Sequence, residues 1–360
     1  MENTPRYTLL YLILTPVILI PAALITFLVI RGNEAEQYYK RALTSAAAGN
    51  YQAAAAEFTR AGSLGHAESY YSLACIYRSG VISADNADEL IRINLERAAL
   101  NGSIQAEFEL GKLAEDHPEP DYAQAAMHYR RAALDGHAEA QLAMARFYEY
   151  GLGVNKSPLL AKEFYLYAAQ QDNLKAHTAL GLLYISGKLG KCDFASARKH
   201  LQVAVKAGNP QAYTAMGYVC EHSQPENEES QQLAGVYYRR AANAGDVQGT
   251  VNYGDWLMKQ QRESEALNIY MQAAEKLNSP AAMHRLGVYY FKKNNPDYQR
   301  ARQFFERAAA SGNAGSWINL GIMAEIGHGC PVDLKRAGEC YSMAEKLGHP
   351  EAVKRLQELK

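Results

Sequence analysis

The sequence predicts an all-α fold: one membrane-spanning helix followed by a solenoid of stacked antiparallel helix pairs. Three observations predict it. Residues 7–30 carry no charged side chain. A helix-closing glycine, or a substitute for it, recurs about every 36 residues through the rest of the 360-residue chain. Small residues recur at fixed offsets behind each of these.

The first element is the span, within an N-terminal tail and anchor at 1–33. Arg6 and Arg31 bound an uncharged run of 24 residues. At the α-helical rise that run is about 36 Å long, enough to cross a hydrocarbon core of about 30 Å with some tilt. Pro16 and Pro21 bend it in a way membrane helices tolerate, and Tyr7 and Tyr11 suit an interface. A cleaved signal peptide fits less well, because the run exceeds the usual signal core and no small-x-small cleavage site follows.

The repeats occupy 34–350. Gly65, Gly102, Gly136, Gly208, Gly245, Gly312 and Gly348 close successive units, with Asp172 and Asn278 in the two remaining places. All three residue types adopt the left-handed conformation that ends a helix. Nine residues after each but the last comes a small residue: Ala74, Gly111, Ala145, Gly181, Gly217, Gly254, Gly287 and Gly321. A long apolar residue such as Leu73, Leu110, Met144 or Leu180 precedes it, and a second small column (Ser69, Ala106, Ala140, Ala176, Ala212, Gly249, Ala282, Ser316) lies five residues earlier. These columns let two helices touch closely. In the second helix of a unit, Ala125-Tyr129-Ala132, Ala161-Tyr165-Ala168, Ala234-Tyr238-Ala241 and Ala337-Tyr341-Ala344 share one face by their spacing of four and three. Much of the surplus of 25 Tyr over 9 Phe belongs to this packing. A polar helix at 351–360 caps the array, as a terminal repeat requires.

These residues resemble the Sel-one-like repeat, a relative of the tetratricopeptide repeat. The match is fullest from Ala138 to Asp172, where Ala138, Ala140, Tyr148, Gly151-Leu152-Gly153-Val154, Ala161, Tyr165 and Ala168-Ala169 follow the family pattern; the last unit keeps Gly327-His328-Gly329 and Asp333. Units turning at 115–121 and 220–229 depart from it with acidic turns that contain proline. The resemblance implies a right-handed superhelical solenoid whose first helices line a concave face, and a scaffold binding a protein or peptide partner there. With the N-terminal anchor it also implies a single-pass protein of a bacterial inner membrane, in contact with the bilayer through 7–30. Arg31, Lys40 and Arg41 behind the span favour a cytoplasmic array, whereas a short tail ahead of a large domain is the usual form of a signal anchor. The periplasmic side is preferred between them.

The composition excludes simpler functions. A net charge of -1 offers no basic face for nucleic acid. No metal-binding pair of the H-x-x-x-H kind occurs among the ten histidines, and His66, His137 and His349 recur one repeat or more apart as helix-start residues. The glycines at 151 and 153 have neither a preceding strand nor a G-K-[ST] sequence, so they make an inter-helix turn. Five cysteines without a C-x-x-C pair read as buried thiols, a Cys330–Cys340 bridge being the alternative. No nucleophile, base and orienting partner assemble from the sequence. No cofactor, metal or catalytic residue is expected, and the chain reads as a non-enzyme.

The candidate site is the concave face. Placed against the Leu-Gly position, its columns contain Tyr71, Phe108, Val251 and Ile318; Arg146, Tyr218, Val288 and Ile322; and Glu149, Met258 and Phe291. The C-terminal part of this face is the more apolar, and an apolar strip left open marks a partner site. The alternative for the same positions is packing between neighbouring repeats. An alternative function, recognition or processing of peptidoglycan or glycan fragments, requires Glu115, Glu149 and Glu221 to converge.

Overall fold

Local sequence signals account for where many of the helices start and stop. The computed structural model describes residues 28–223 and 227–359. Side-chain oxygens at helix starts accept backbone N–H groups: Asn50 from Ala53, Ser103 from Ala106, Asp121 from Gln124, Asn209 from Ala212 and Asp297 from Arg300. At helix ends the seven closing glycines have positive φ, and so do Asp172 (57°) and Asn278 (51°), which stand in for the missing two.

The described residues are helical, with no strand. They fall into two compact units that divide between Ala176 and His177. The first holds α1 (28–47), α2 (Tyr51–Ser63), α3 (Ala67–Arg78), α4 (Ala87–Leu100), α5 (Ile104–Glu115), α6 (Tyr122–Leu134), α7 (Ala138–Tyr150) and α8 (Pro158–Ala169). Helix α9 (Leu174–Ile185) begins at its end and runs on into the second unit. There follow α10 (Phe194–Lys206), α11 (Pro210–His222), α12 (Glu228–Asn243), α13 (Val247–Lys259), α14 (Glu263–Lys276), α15 (Pro280–Lys292), α16 (Tyr298–Ala310), α17 (Ala314–Ile326), α18 (Leu334–Lys346) and the short α19 (Ala352–Glu358). Within each unit an odd-numbered helix packs most extensively on the even-numbered one after it, and that even-numbered helix packs in turn on the first helix of the next pair. Helix α19 packs on α18.

The predicted span at 7–30 lies outside the described residues except for 28–30. Among the described residues no helix is long and apolar enough to cross a membrane. Helix α1 is already helical at 28, inside the predicted span, and runs on past Glu34 without a break. Gly32 lies within this helix and has nothing within 4 Å of an added methyl group.

The small columns do the work expected of them, in a specific way. At Gly217 an added methyl group would lie 2.5 Å from the ring of Tyr238, so the ring of the second helix rests directly on the backbone of the first. Tyr129, Tyr165, Tyr238, Tyr341 and Phe305 are all fully buried at this contact column. Burying such a ring removes about 150–250 Å² from water, which makes these rings a large apolar attachment within the pairs that have them.

Candidate partner-binding groove

A buried tyrosine needs a partner for its hydroxyl. Five of them have a carboxylate on the first helix of their own pair; the sixth, Tyr148, accepts from Arg130. Tyr129 donates to Glu115 (2.7 Å), Tyr165 to Glu149 (2.8 Å), Tyr238 to Glu221 (2.8 Å), Tyr270 to Asp255 (2.5 Å) and Tyr341 to Glu325 (2.6 Å). Burial first, and the neighbouring carboxylate with it, pushes all five phenols above the usual range. Several of these carboxylates also take a cation from the next pair: Arg146 reaches Glu115, Lys259 reaches Glu221, and Arg285 holds Asp255 through both oxygens at 2.8 and 2.9 Å. Burial alone raises the Glu221 carboxyl, but Lys259 and Tyr238 outweigh it and leave its pKa lowered.

The sequence contains a signal for this pairing. Where the ring position is Leu201 or Phe305, the position facing it is Ile185 or Phe291; where it is Tyr129, Tyr165, Tyr238 or Tyr341, the facing position is Glu. Tyr270 faces Met258 and takes Asp255, one turn earlier, instead.

The predicted contact residues divide by column. The first column is largely turned inward. Val251 and Ile318 are 2% and 4% exposed and belong to core clusters, so they are walls of the interior and not contact side chains. The cause is a neighbour: this column faces the start of the next pair, as the hydrogen bonds of Thr214 to Asp246 and of His284 with Ser316 show. Phe108 follows the same rule, half-buried and stacked at 4.5 Å on His137, the N-cap of α7. Tyr71 is half-buried, its phenol pushed up to about 12 by burial and by the Cys75 thiol. Glu149 is 8% exposed and committed to Tyr165, which also removes it from the contact surface.

Apart from Glu149, the predicted residues of the other two columns remain accessible. Arg146 is exposed, and Tyr218, Met258, Val288, Phe291 and Ile322 are half-buried. Tyr218 stacks on His222 at 4.0 Å, and Phe291 meets Tyr298 edge-on at 5.5 Å. In the second unit a cleft of about 450 Å³ is lined by Tyr218, Glu221, His222, Met258 and Lys259 among others. A second, of about 410 Å³, is lined by Met258, Glu263, Val288, Tyr289, Lys292 and Lys293 among others. The two share Asp255, Met258 and Arg285, so they form one groove along α11, α13 and α15.

Several other polar groups bond within the fold. His137 accepts the Ala140 N–H and His349 that of Glu351, the helix-start role expected of them. All five cysteines are free, so the Cys330–Cys340 bridge does not form, and burial raises the Cys220 and Cys340 thiols. Among the described residues no group of three His, Cys, Asp or Glu is placed to hold a metal ion. Asn101 of the Asn101-Gly102-Ser103 sequence donates to the Gly62 carbonyl, and Ser103 is buried as a cap.

Comparison with known proteins agrees with this geometry. The sequence profile of the Sel1 repeat matches at 104–137, 138–173, 174–209, 210–246, 280–313 and 318–349, more than half of the chain. An uncharacterized protein of Neisseria meningitidis serogroup B is 27% identical over 254 residues, covering 67% of this chain and 51% of its own. The chain thus spans about half or less of the curated relatives it matches. In fold it is similar to a protective antigen of uropathogenic Escherichia coli (TM-score 0.61, 19% identity, 90% of this chain and 79% of that one). It is equally similar to a Sel1 repeat protein from Oxalobacter formigenes (TM-score 0.61, 23% identity, 84% and 89%).

Proposed function

Because the chain belongs to the Sel1 repeat family, we propose that it is an interaction scaffold whose second-unit groove captures a segment of a partner protein. The observation that carries this is the groove itself. Met258 and Val288 lie half-buried in it, packed on one side against core clusters and lining the cleft beside polar residues on the other. An apolar floor with a polar rim is the anatomy of a peptide-binding surface.

A photo-crosslinking residue in place of Tyr289 tests it in native membranes. The expected result is a discrete adduct that disappears in the Met258→Glu/Val288→Glu variant while helical signal and melting temperature hold. Adducts that survive the double substitution would sink the reading, and loss of helicity would make the two residues core.

The proposal includes the anchor. The uncharged run at 7–30 would hold the array on a bacterial inner membrane, on its periplasmic side. Cys192 is an exposed free thiol and makes the side measurable. A membrane-impermeant maleimide should label it in intact spheroplasts; labelling only after lysis would put the repeats in the cytoplasm. For the glycan-processing alternative no observation speaks: Glu115, Glu149 and Glu221 are each committed to a tyrosine of their own helix pair.

A further inference from the structure

The groove's charge is not balanced along its length, and the imbalance points to a kind of partner. Around the cleft of about 410 Å³ between α13 and α15 stand three cations, Arg285, Lys292 and Lys293, and two carboxylates, Asp255 and Glu263. Both carboxylates are occupied from within. Asp255 is held by Tyr270 and by the guanidinium of Arg285, and Glu263 accepts the Tyr289 hydroxyl at 2.5 Å. Lys292 and Lys293 have no carboxylate partner among the described residues; the Lys293 ammonium lies 5.3 Å from the Tyr290 ring centre. The apolar floor of Met258 and Val288 lies beside them.

Resting on the scaffold reading above, we infer that this cleft takes an acidic–apolar peptide segment of a partner protein. An apolar side chain of that segment enters over Met258 and Val288, while an adjacent Asp or Glu meets Lys292 and Lys293. The volume lies at the lower end of the range for ligand sites, so a few residues fill it and a folded domain does not. The two lysines are free to pair, whereas an incoming cation would meet only carboxylates that already hold donors.

A displayed library of random twelve-residue peptides, selected on the full chain in mild detergent, tests the inference. Enriched peptides should carry Asp or Glu next to Leu, Ile, Met or Phe. A synthetic peptide from that set should bind about three- to tenfold more tightly than its Asn/Gln counterpart, the range expected of one or two accessible ion pairs, and lose that advantage at high salt. Lys292→Glu/Lys293→Glu should abolish the acidic preference and leave helicity unchanged. Enrichment without an acidic excess, or an unchanged preference in the charge-reversed variant, overturns the inference while leaving the scaffold reading intact. No enrichment over background overturns both.

Discussion

At the scale of single residues the defining unit is a tyrosine, a glycine and a carboxylate. The ring of Tyr238 lies on Gly217 and its hydroxyl ends on Glu221, so packing and polar satisfaction are met by one side chain. Removing the hydroxyl leaves the half-buried Glu221 carboxylate with Lys259 but short of one donor, which costs about 1–3 kcal/mol. Tyr238→Phe should therefore destabilise the chain by about that amount in urea denaturation. Combined with Glu221→Gln it should lose less than the sum, with a coupling of about 1 kcal/mol. An additive pair would mean the bond contributes nothing. The same carboxylate gives a pH dependence with a defined sign. Its folded pKa is lowered, so the stability it contributes is present above the unfolded value of about 4.3 and is lost as pH falls through the folded value. The stability gap between the native chain and Glu221→Gln should accordingly shrink between about pH 5 and pH 3. A gap that widens on acidification contradicts the assignment. The tyrosines act at the other end of the scale. Their folded pKa values are raised, so the stability they add is complete below about pH 10 and lost above it.

At the scale of elements, the helix pairs were readable because their cause is local: caps, closing glycines and small columns sit at fixed offsets, and Asp172 and Asn278 take the left-handed conformation their positions imply. The groove was readable only in part. Which face of a first helix stays open depends on how the next pair leans on it, and that contact buries Val251 and Ile318 while leaving Val288 and Ile322 accessible. The loop after α7 shows the same limit. Gly151 caps α7 in the left-handed conformation, as the pattern suggests. Gly153 is glycine for a tertiary reason, since a methyl group there would lie 2.0 Å from the Tyr122 carbonyl oxygen at the start of α6. Gly136 has a similar positive φ and nothing within 4 Å. Gly136→Ala should cost about 1–2 kcal/mol from backbone strain alone. Gly153→Ala should cost more than about 3 kcal/mol, because the loop must also leave α6. Equal melting temperatures for the two variants would show that the loop does not bear on α6.

At the scale of the molecule, stability should be a sum of pair and neighbour contributions, because helices pack on their own pair and the one beside it. The C-terminal end gives the clearest test. There Ala352, Leu356 and Leu359 of the α19 segment cover the cluster around Ile318, Ala337, Tyr341 and Ala344. Removing 351–360 uncovers that cluster and forfeits two half-buried leucines, a loss of about 2–4 kcal/mol. In a globular core such a loss would lower the protection of every amide that opens globally. In a stacked array it should be confined. Hydrogen exchange should speed up in α17 and α18 and fall off towards α15 and α16, with α13 and α14 unchanged. The Tyr270–Asp255–Arg285 group in the groove would then keep its geometry, and the truncated chain should bind the selected acidic peptide as well as the full one does. Uniform acceleration across α13–α18, or loss of peptide binding on truncation, would mean that the groove depends on the whole second unit and that neighbour contacts alone do not hold it.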